Sequence, residues 1–119
     1  MFVAAMEPQT LIAQYQIEPY RGSQEKLRQI AVAFVGAPHT SQAEGKVLLL
    51  NDPGSRQAFF YEFRAEDIVY AEEAPALALP DGSAAAMMRL WVRKGVTALK
   101  IEAFHVQDTT AGLSDYFRD

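Results

Sequence analysis

Polar and apolar positions alternate along Thr10 to Glu18, with Leu11, Ala13, Tyr15 and Ile17 on one side and Gln14, Gln16 and Glu18 on the other. A period of two is the signature of a half-buried strand, so a strand is expected over 10–18, ended by Pro19. The period then lengthens. Leu27, Ile30, Ala31 and Phe34 recur at helical spacing above a face of Glu25, Lys26, Arg28 and Gln29, which predicts one N-terminal amphipathic helix over 23–35. Ser23 suits the N-cap, because its hydroxyl can accept from a free first-turn amide, while Gly36 and Pro38 supply a stop. Residues 37–45 (APHTSQAEG) are small, polar and breaker-rich, and read as a connecting loop.

From Lys46 the pattern becomes a succession of short strands. Lys46 to Asn51 and Gln57 to Arg64 flank Asp52-Pro53-Gly54-Ser55, where proline presets φ and glycine accepts positive φ, so a hairpin is expected. Phe59, Tyr61 and Phe63 share one face of the second strand and Phe60 takes the other, the pattern of a strand covered on both sides. Ile68 to Glu73 and Leu77 to Leu79 follow, then the tight-turn signal Asp81-Gly82. Ala84 to Arg93 and Val96 to Val106 are expected to pair about Lys94-Gly95. That register sets Leu90 opposite Leu99 and Met88 opposite Ile101, gathering four apolar residues on one face. In the tail, 107–119, Leu113, Tyr116 and Phe117 are expected to dock a final helical turn.

The expected fold is therefore α+β, a single domain over 1–119. It has a strongly curved antiparallel sheet of about six or seven short strands, open under the helix or partly closed into a barrel. Length agrees, since 119 residues make one core that removes roughly two thirds of the unfolded surface from water. The composition is ordinary for a globular chain, with 50% hydrophobic and 22% charged residues. No cysteine is present, so disulfides, thiolate metal sites and cysteine nucleophiles are excluded and the reducing cytoplasm is the expected compartment. Met1 to Met6 is apolar but lacks a basic flank and meets Glu7-Pro8 too early for an export signal. The longest apolar runs, 30–38 and 74–80, fall well short of a membrane span of about 20 residues.

Charge changes the picture more than composition does. The net charge of −4 is unevenly spread. Residues 61–81 hold Glu62, Glu66, Asp67, Glu72, Glu73 and Asp81 against Arg64, and 82–107 hold Arg89, Arg93, Lys94 and Lys100 against Glu102. Net acidity disfavours nucleic acid as a partner, because that affinity comes mainly from neutralised phosphates. The segment EDIVYAEEA resembles the opening of LytTR-type DNA-binding domains over a few residues of generic strand sequence, too short a match to assign a family.

Candidate chemistry centres on the expected last hairpin. If Met88 and Leu90 face inward, then Arg89, Trp91 and Arg93 face outward and Lys100 falls opposite Arg89. Like charges across a ladder and an indole in water are both unfavourable, so a compensating anion is expected there. These four residues are the ligand-binding candidates, for an acidic or phosphorylated partner, a protein or a small anionic ligand. The competing reading puts Trp91 under the helix or a second copy of the chain. The acidic residues Glu62, Glu66, Asp67, Glu72 and Glu73 raise a second function, a divalent-metal-dependent hydrolase of a phosphorylated substrate, although Glu72 and Glu73 point to opposite faces. His39 and His105 lie apart without metal-ligand spacing, Ser41 lacks a nucleophile-elbow glycine pattern, and isolated glycines form no phosphate loop. No cofactor or resident metal is expected. The leading expectation is a non-catalytic binding or regulatory module, with self-association as one way to cover its strand edges.

Overall fold

The computed structural model of the chain describes residues 4–102 and shows a mixed α+β fold. Helix α1 (Pro8–Gln14) and helix α2 (Gln24–Ile30) precede strands β1 (Ala31–His39), β2 (Lys46–Asn51), β3 (Phe59–Arg64), β4 (Ile68–Ala78), β5 (Ala84–Arg93) and β6 (Leu99–Glu102). They form one six-stranded sheet in the order β4-β5-β1-β2-β3-β6, with every neighbouring pair antiparallel. β4 and β6 do not pair, so the sheet is not closed into a barrel. No helix among the described residues is long and apolar enough to cross a membrane. The expected strand end at 103–106, His105 and the docking turn of Leu113, Tyr116 and Phe117 lie outside the described residues.

Both ends of the expected strand–helix pair are corrected. Residues 8–14 form a helix where a strand was expected over 10–18. Pro8 occupies the first turn, where its fixed φ suits a helix and its missing N–H costs nothing. Leu11 and Tyr15 then lie four residues apart on one face. Leu11 is fully buried in the main core, and the Tyr15 hydroxyl donates to the Lys46 carbonyl at 2.9 Å. Tertiary contacts thus select the helical reading of a segment that also alternates. The second helix keeps its expected cap, Ser23 Oγ accepting from Lys26 N at 3.2 Å, but ends at Ile30 instead of Val35. The Ile30 carbonyl accepts from Lys94 N at 2.8 Å, and Ala31 is extended at φ −142°. Ala31 to Val35, with β-branched Val32 and Val35, is drawn into β1 by pairing with β5.

β1 is the pivot of the sheet. Residues Ala31 to Gly36 pair with β5, and Ala37 to His39 pair with β2. Pro38, expected in a loop, sits in the strand because its ring nitrogen faces the side that β5 has left, where no ladder donor is missed. Its carbonyl accepts from Met6 N at 3.0 Å, and Thr40 N donates to the Ala4 carbonyl at 2.8 Å, so Ala4–Met6 continues the sheet along the upper half of β1.

The β2–β3 hairpin stands as expected, Asn51 opposite Phe59, with Gly54 at φ +82° in its loop. The β4–β5 hairpin turns at the expected Asp81-Gly82, where the Asp81 carboxylate accepts from the Ser83 amide and hydroxyl and is held below the usual carboxylate range by those bonds. The expected separate strands at 68–73 and 77–79 are one bulged strand.

The closing hairpin is corrected outright. β5 lies between β1 and β4, and β6 pairs with β3 at the far side of the sheet. Leu90 therefore faces Phe34 and Ala71 in place of Leu99. Met88 and Leu90 are fully buried, whereas Leu99 and Ile101 are 54% and 44% exposed. β5 is a central strand with β1 and β4 bonded along its two edges, and β1, read as the end of a helix, was the missing neighbour.

The main core joins Leu11 of α1 to Val47, Leu49, Phe63, Ile68, Ala71, Met88, Leu90 and Val92. Phe34 bridges the two halves of the sheet, its ring 5.0 Å from both Tyr61 and Phe63. A second cluster packs Leu27 of α2 on Ala31 and Trp91.

The handover along β1 makes Gly36 critical. A Cβ there would meet the Leu50 carbonyl oxygen at 2.6 Å and Leu49 Cγ at 2.8 Å. Because the nearest obstacle is backbone, Gly36→Ala is expected to lower stability by about 1–3 kcal/mol. Thermal and urea unfolding check this, and an unchanged midpoint would contradict the close approach of β1 and β2.

Candidate functional site

Of the four residues expected to share one charged face, Arg89, Trp91 and Arg93 alternate along β5 and so share a face of that strand, and Lys100 lies elsewhere. Arg89 and Trp91 lie on β5, with Arg89 opposite Val35 and Glu72 and Trp91 opposite Ala33 and Tyr70. Arg93 is exposed at the end of the same strand, opposite Ala31. Lys100 lies on β6 opposite Tyr61, so the expected pairing with Arg89 does not occur.

Trp91 is core. It is 7% exposed beneath α2, packed with Leu27 and Ala31, and partly buried Tyr20, Val69 and Tyr70 surround it. The feature that sequence reasoning did not join to this pair is Glu72 on β4. Its Oε1 accepts from Arg89 Nη1 at 2.9 Å and from Trp91 Nε1 at 3.3 Å. The signal was present as the acidic 62–73 and basic 89–100 segments flanking one turn, but the bulges of β4 set the register that opposes Glu72 to Arg89. Lys100 is likewise engaged, 3.0 Å from Glu102 and 4.3 Å above the Phe59 ring.

The acidic residues other than Glu62, which lies on β3 opposite Leu48 and Leu99, are used in the same way. Arg64 holds Asp67 through Nε at 3.0 Å and Glu66 through Nη1 at 3.2 Å, and these carboxylates push the guanidinium pKa further above its usual range. Glu73 accepts from Gln9 Nε2 at 3.2 Å, tying β4 to α1. Among the described residues no three His, Asp or Glu side chains gather as a metal site. Ser41 Oγ accepts from Ala43 N at 3.2 Å, the ordinary work of a loop serine.

Among several cavities of similar size in the described residues, one with a mainly apolar wall lies where the sheet divides. Above Gly36, β1 stays with β2 and β5 stays with β4, and a cleft of about 450 Å³ opens between them. Pro38 and His39 of β1, Leu50 and Pro53, Leu79, and Ala84–Ala86 of β5 form most of its wall, with Ala5, Met6 and Glu7 on the remaining side. Small apolar side chains predominate. His39 Nδ1 lies 3.1 Å from the Ala37 carbonyl, which can only accept, so in this bond Nδ1 is the donor. Phe60 holds the imidazole edge-on at 5.2 Å. Nothing in the hydrophobic pattern marked this cleft, because its wall comes from five separate segments.

The fold and site define an α+β domain with a divided antiparallel sheet and an apolar cleft at the division. Comparison with family models, curated proteins and solved structures finds no match.

The burial of Trp91 sets an expectation for stability. Trp91→Ala should cost about 3–5 kcal/mol, since it empties the space beneath α2. Glu72→Ala should cost about 1–3 kcal/mol by leaving Arg89 and the indole N–H without their acceptor. Denaturant titration of the two variants tests both values, and a Trp91→Ala chain as stable as the parent would return the indole to the surface.

Proposed function

We propose that the protein is a non-catalytic binding module whose ligand, apolar in the part that is enclosed, occupies the cleft at the division of the sheet. The observation that carries this reading is the cleft itself. Its volume of about 450 Å³ falls within the roughly 300–1,000 Å³ of small-ligand sites, and its wall combines apolar side chains with a few polar groups, the usual make-up of such sites. An acidic or phosphorylated partner is the weaker form of the same class. At Arg89 and Lys100 it would have to displace Glu72 and Glu102, leaving Arg93 as the uncommitted cation of the four. A metal-dependent hydrolase would require carboxylates to leave Arg64, Arg89 and Gln9 before gathering around an ion.

The reading is tested by titrating ¹⁵N-labelled protein with a library of uncharged apolar fragments. Amide shifts are expected at His39, Leu50, Gly54, Leu79 and Ala85, and Ala85→Phe should remove them by filling the space. Shifts confined to other surfaces, or unaffected by Ala85→Phe, would refute the cleft as the binding site.

Self-association is a second reading with its own observation. Along the lower half of β1, Val32 and Val35 are 45% and 40% exposed, and the side of the strand turned away from β5 is paired with no described strand. The segment Ala31–Val35 is uncharged, so two copies could align antiparallel without like-charge opposition. Light scattering should give a dimer that Val32→Lys converts to a monomer; a monomeric parent chain would remove this reading.

A further inference from the structure

We propose that the cleft is a strand-addition site for an extended peptide of small apolar residues with basic flanks, pairing with the free edge of β5. This rests on the cleft being the binding site and goes further by naming the class of ligand.

Two hydrogen bonds fix which way the backbone of β5 points. At its start the Ser83 carbonyl accepts from Leu79 N at 2.9 Å, on the β4 side. At its end Lys94 N donates to the Ile30 carbonyl at 2.8 Å, on the β1 side. Backbone groups alternate between the two edges of a strand, so the even-numbered residues of β5 turn their N–H and C=O groups toward β1. Both bonds give the same parity, and the irregularities of the β4–β5 ladder add residues to β4 and none to β5. Pairing with β1 ends at Gly36 opposite Met88. Ala84 and Ala86 therefore direct their donors and acceptors into the cleft, and no described group bonds to them from that side.

The facing wall shows how such an edge is satisfied. There the upper half of β1 turns the groups of Pro38 and Thr40 toward the same gap, and the extended segment Ala4–Met6 covers them through the two bonds already described. Ala5, between those bonded residues, turns its own backbone groups toward the cleft that it lines. The division of the sheet thus has two edges, one closed by strand addition from the chain itself and one left open. An incoming strand antiparallel to β5 would find Ala84 and Ala86 on one side, with room for alternate side chains against Leu50, Leu79 and Pro53.

Charge selects the flanks of the peptide. Glu7 lines the cleft and makes no side-chain cap bond to α1, and no lysine or arginine lines it. Asp52 adjoins Pro53, and Asp81 lies two residues beyond Leu79 at the β4–β5 turn. Small residues fit the interior because the alanines of β5 leave shallow space above the strand.

Fluorescence anisotropy with the labelled peptide KKAVAVAKK tests the proposal, with EEAVAVAEE as its charge control. The parent protein should bind the basic peptide at least tenfold more tightly than the acidic one, and Glu7→Lys should erase that preference. Ala86→Pro removes one cleft-facing N–H while leaving the β4-facing groups in place, and should weaken the peptide at least tenfold while apolar fragments still bind. Should that variant unfold, the backbone is tested from the other partner: KKAVAVAKK methylated on alternate amide nitrogens should lose binding. Peptide addition should slow hydrogen exchange at Ala84 and Ala86. Fragment binding in the cleft with no peptide binding, equal affinity for methylated and unmethylated peptides, or protection of Ala84 and Ala86 before any peptide is added would each overturn strand addition while leaving the cleft reading in place. Failure of fragments and peptides alike would overturn both.

Discussion

The pairing of β1 with different partners along its length is the constraint on which the rest of the structure depends. Its first six residues pair with β5 and its last three with β2, and Gly36 stands at the boundary where a side chain would strike the Leu50 backbone. This stagger lets Phe34, from the lower half of β1, reach Tyr61 and Phe63 of β3 and so close one apolar core between two halves of a continuous sheet. The same stagger leaves gaps. Two pairs of strands that part company cannot both keep their ladders filled, and unpaired backbone groups need a partner or water.

The structure fills those gaps unequally. Ala4–Met6 satisfies the upper half of β1, and Pro38 removes a donor that would otherwise face away from its ladder. β5 receives no such cover at Ala84 and Ala86, and the cleft lies there. A site formed in this way needs no specialised side chains, since its polar groups are those every residue carries. That accounts for a cleft lined largely by alanine, proline and leucine, residues that attract no notice when chemistry is sought among charged and nucleophilic types.

The charged residues have mostly been spent on architecture. Glu72 serves two donors, Arg89 and Trp91, and ties β4 to β5 beneath the second core cluster. Arg64 fastens the turn between β3 and β4 through Asp67, and Glu73 links β4 to α1 through Gln9. A segregation of acids and bases along the sequence, suggestive of a surface awaiting an anion, is resolved largely as complementarity between neighbouring elements. Ion pairs of this partly exposed kind add modestly to stability, and the register that brings them together is set by the apolar faces and the bulges of β4.

What the sequence determined by itself was local. The turns at Asp52-Pro53-Gly54 and Asp81-Gly82, the Ser23 cap, the shared face of Phe59, Tyr61 and Phe63, and the α+β composition all follow from dihedral limits and periodicity within a few residues. Tertiary structure decided the segments whose pattern served two periods at once. Leu11 and Tyr15 fit a strand as well as a helix until the core claimed one face, and Ala31 to Val35 fitted the end of a helix until β5 offered a ladder. Once β1 existed, β5 had a partner and released β6 to the far edge, which buried Trp91 and exposed Leu99 and Ile101. The division of the sheet was beyond local reading for the same reason, since which strand lies beside which is set by packing between distant segments, and the cleft is the space those choices leave.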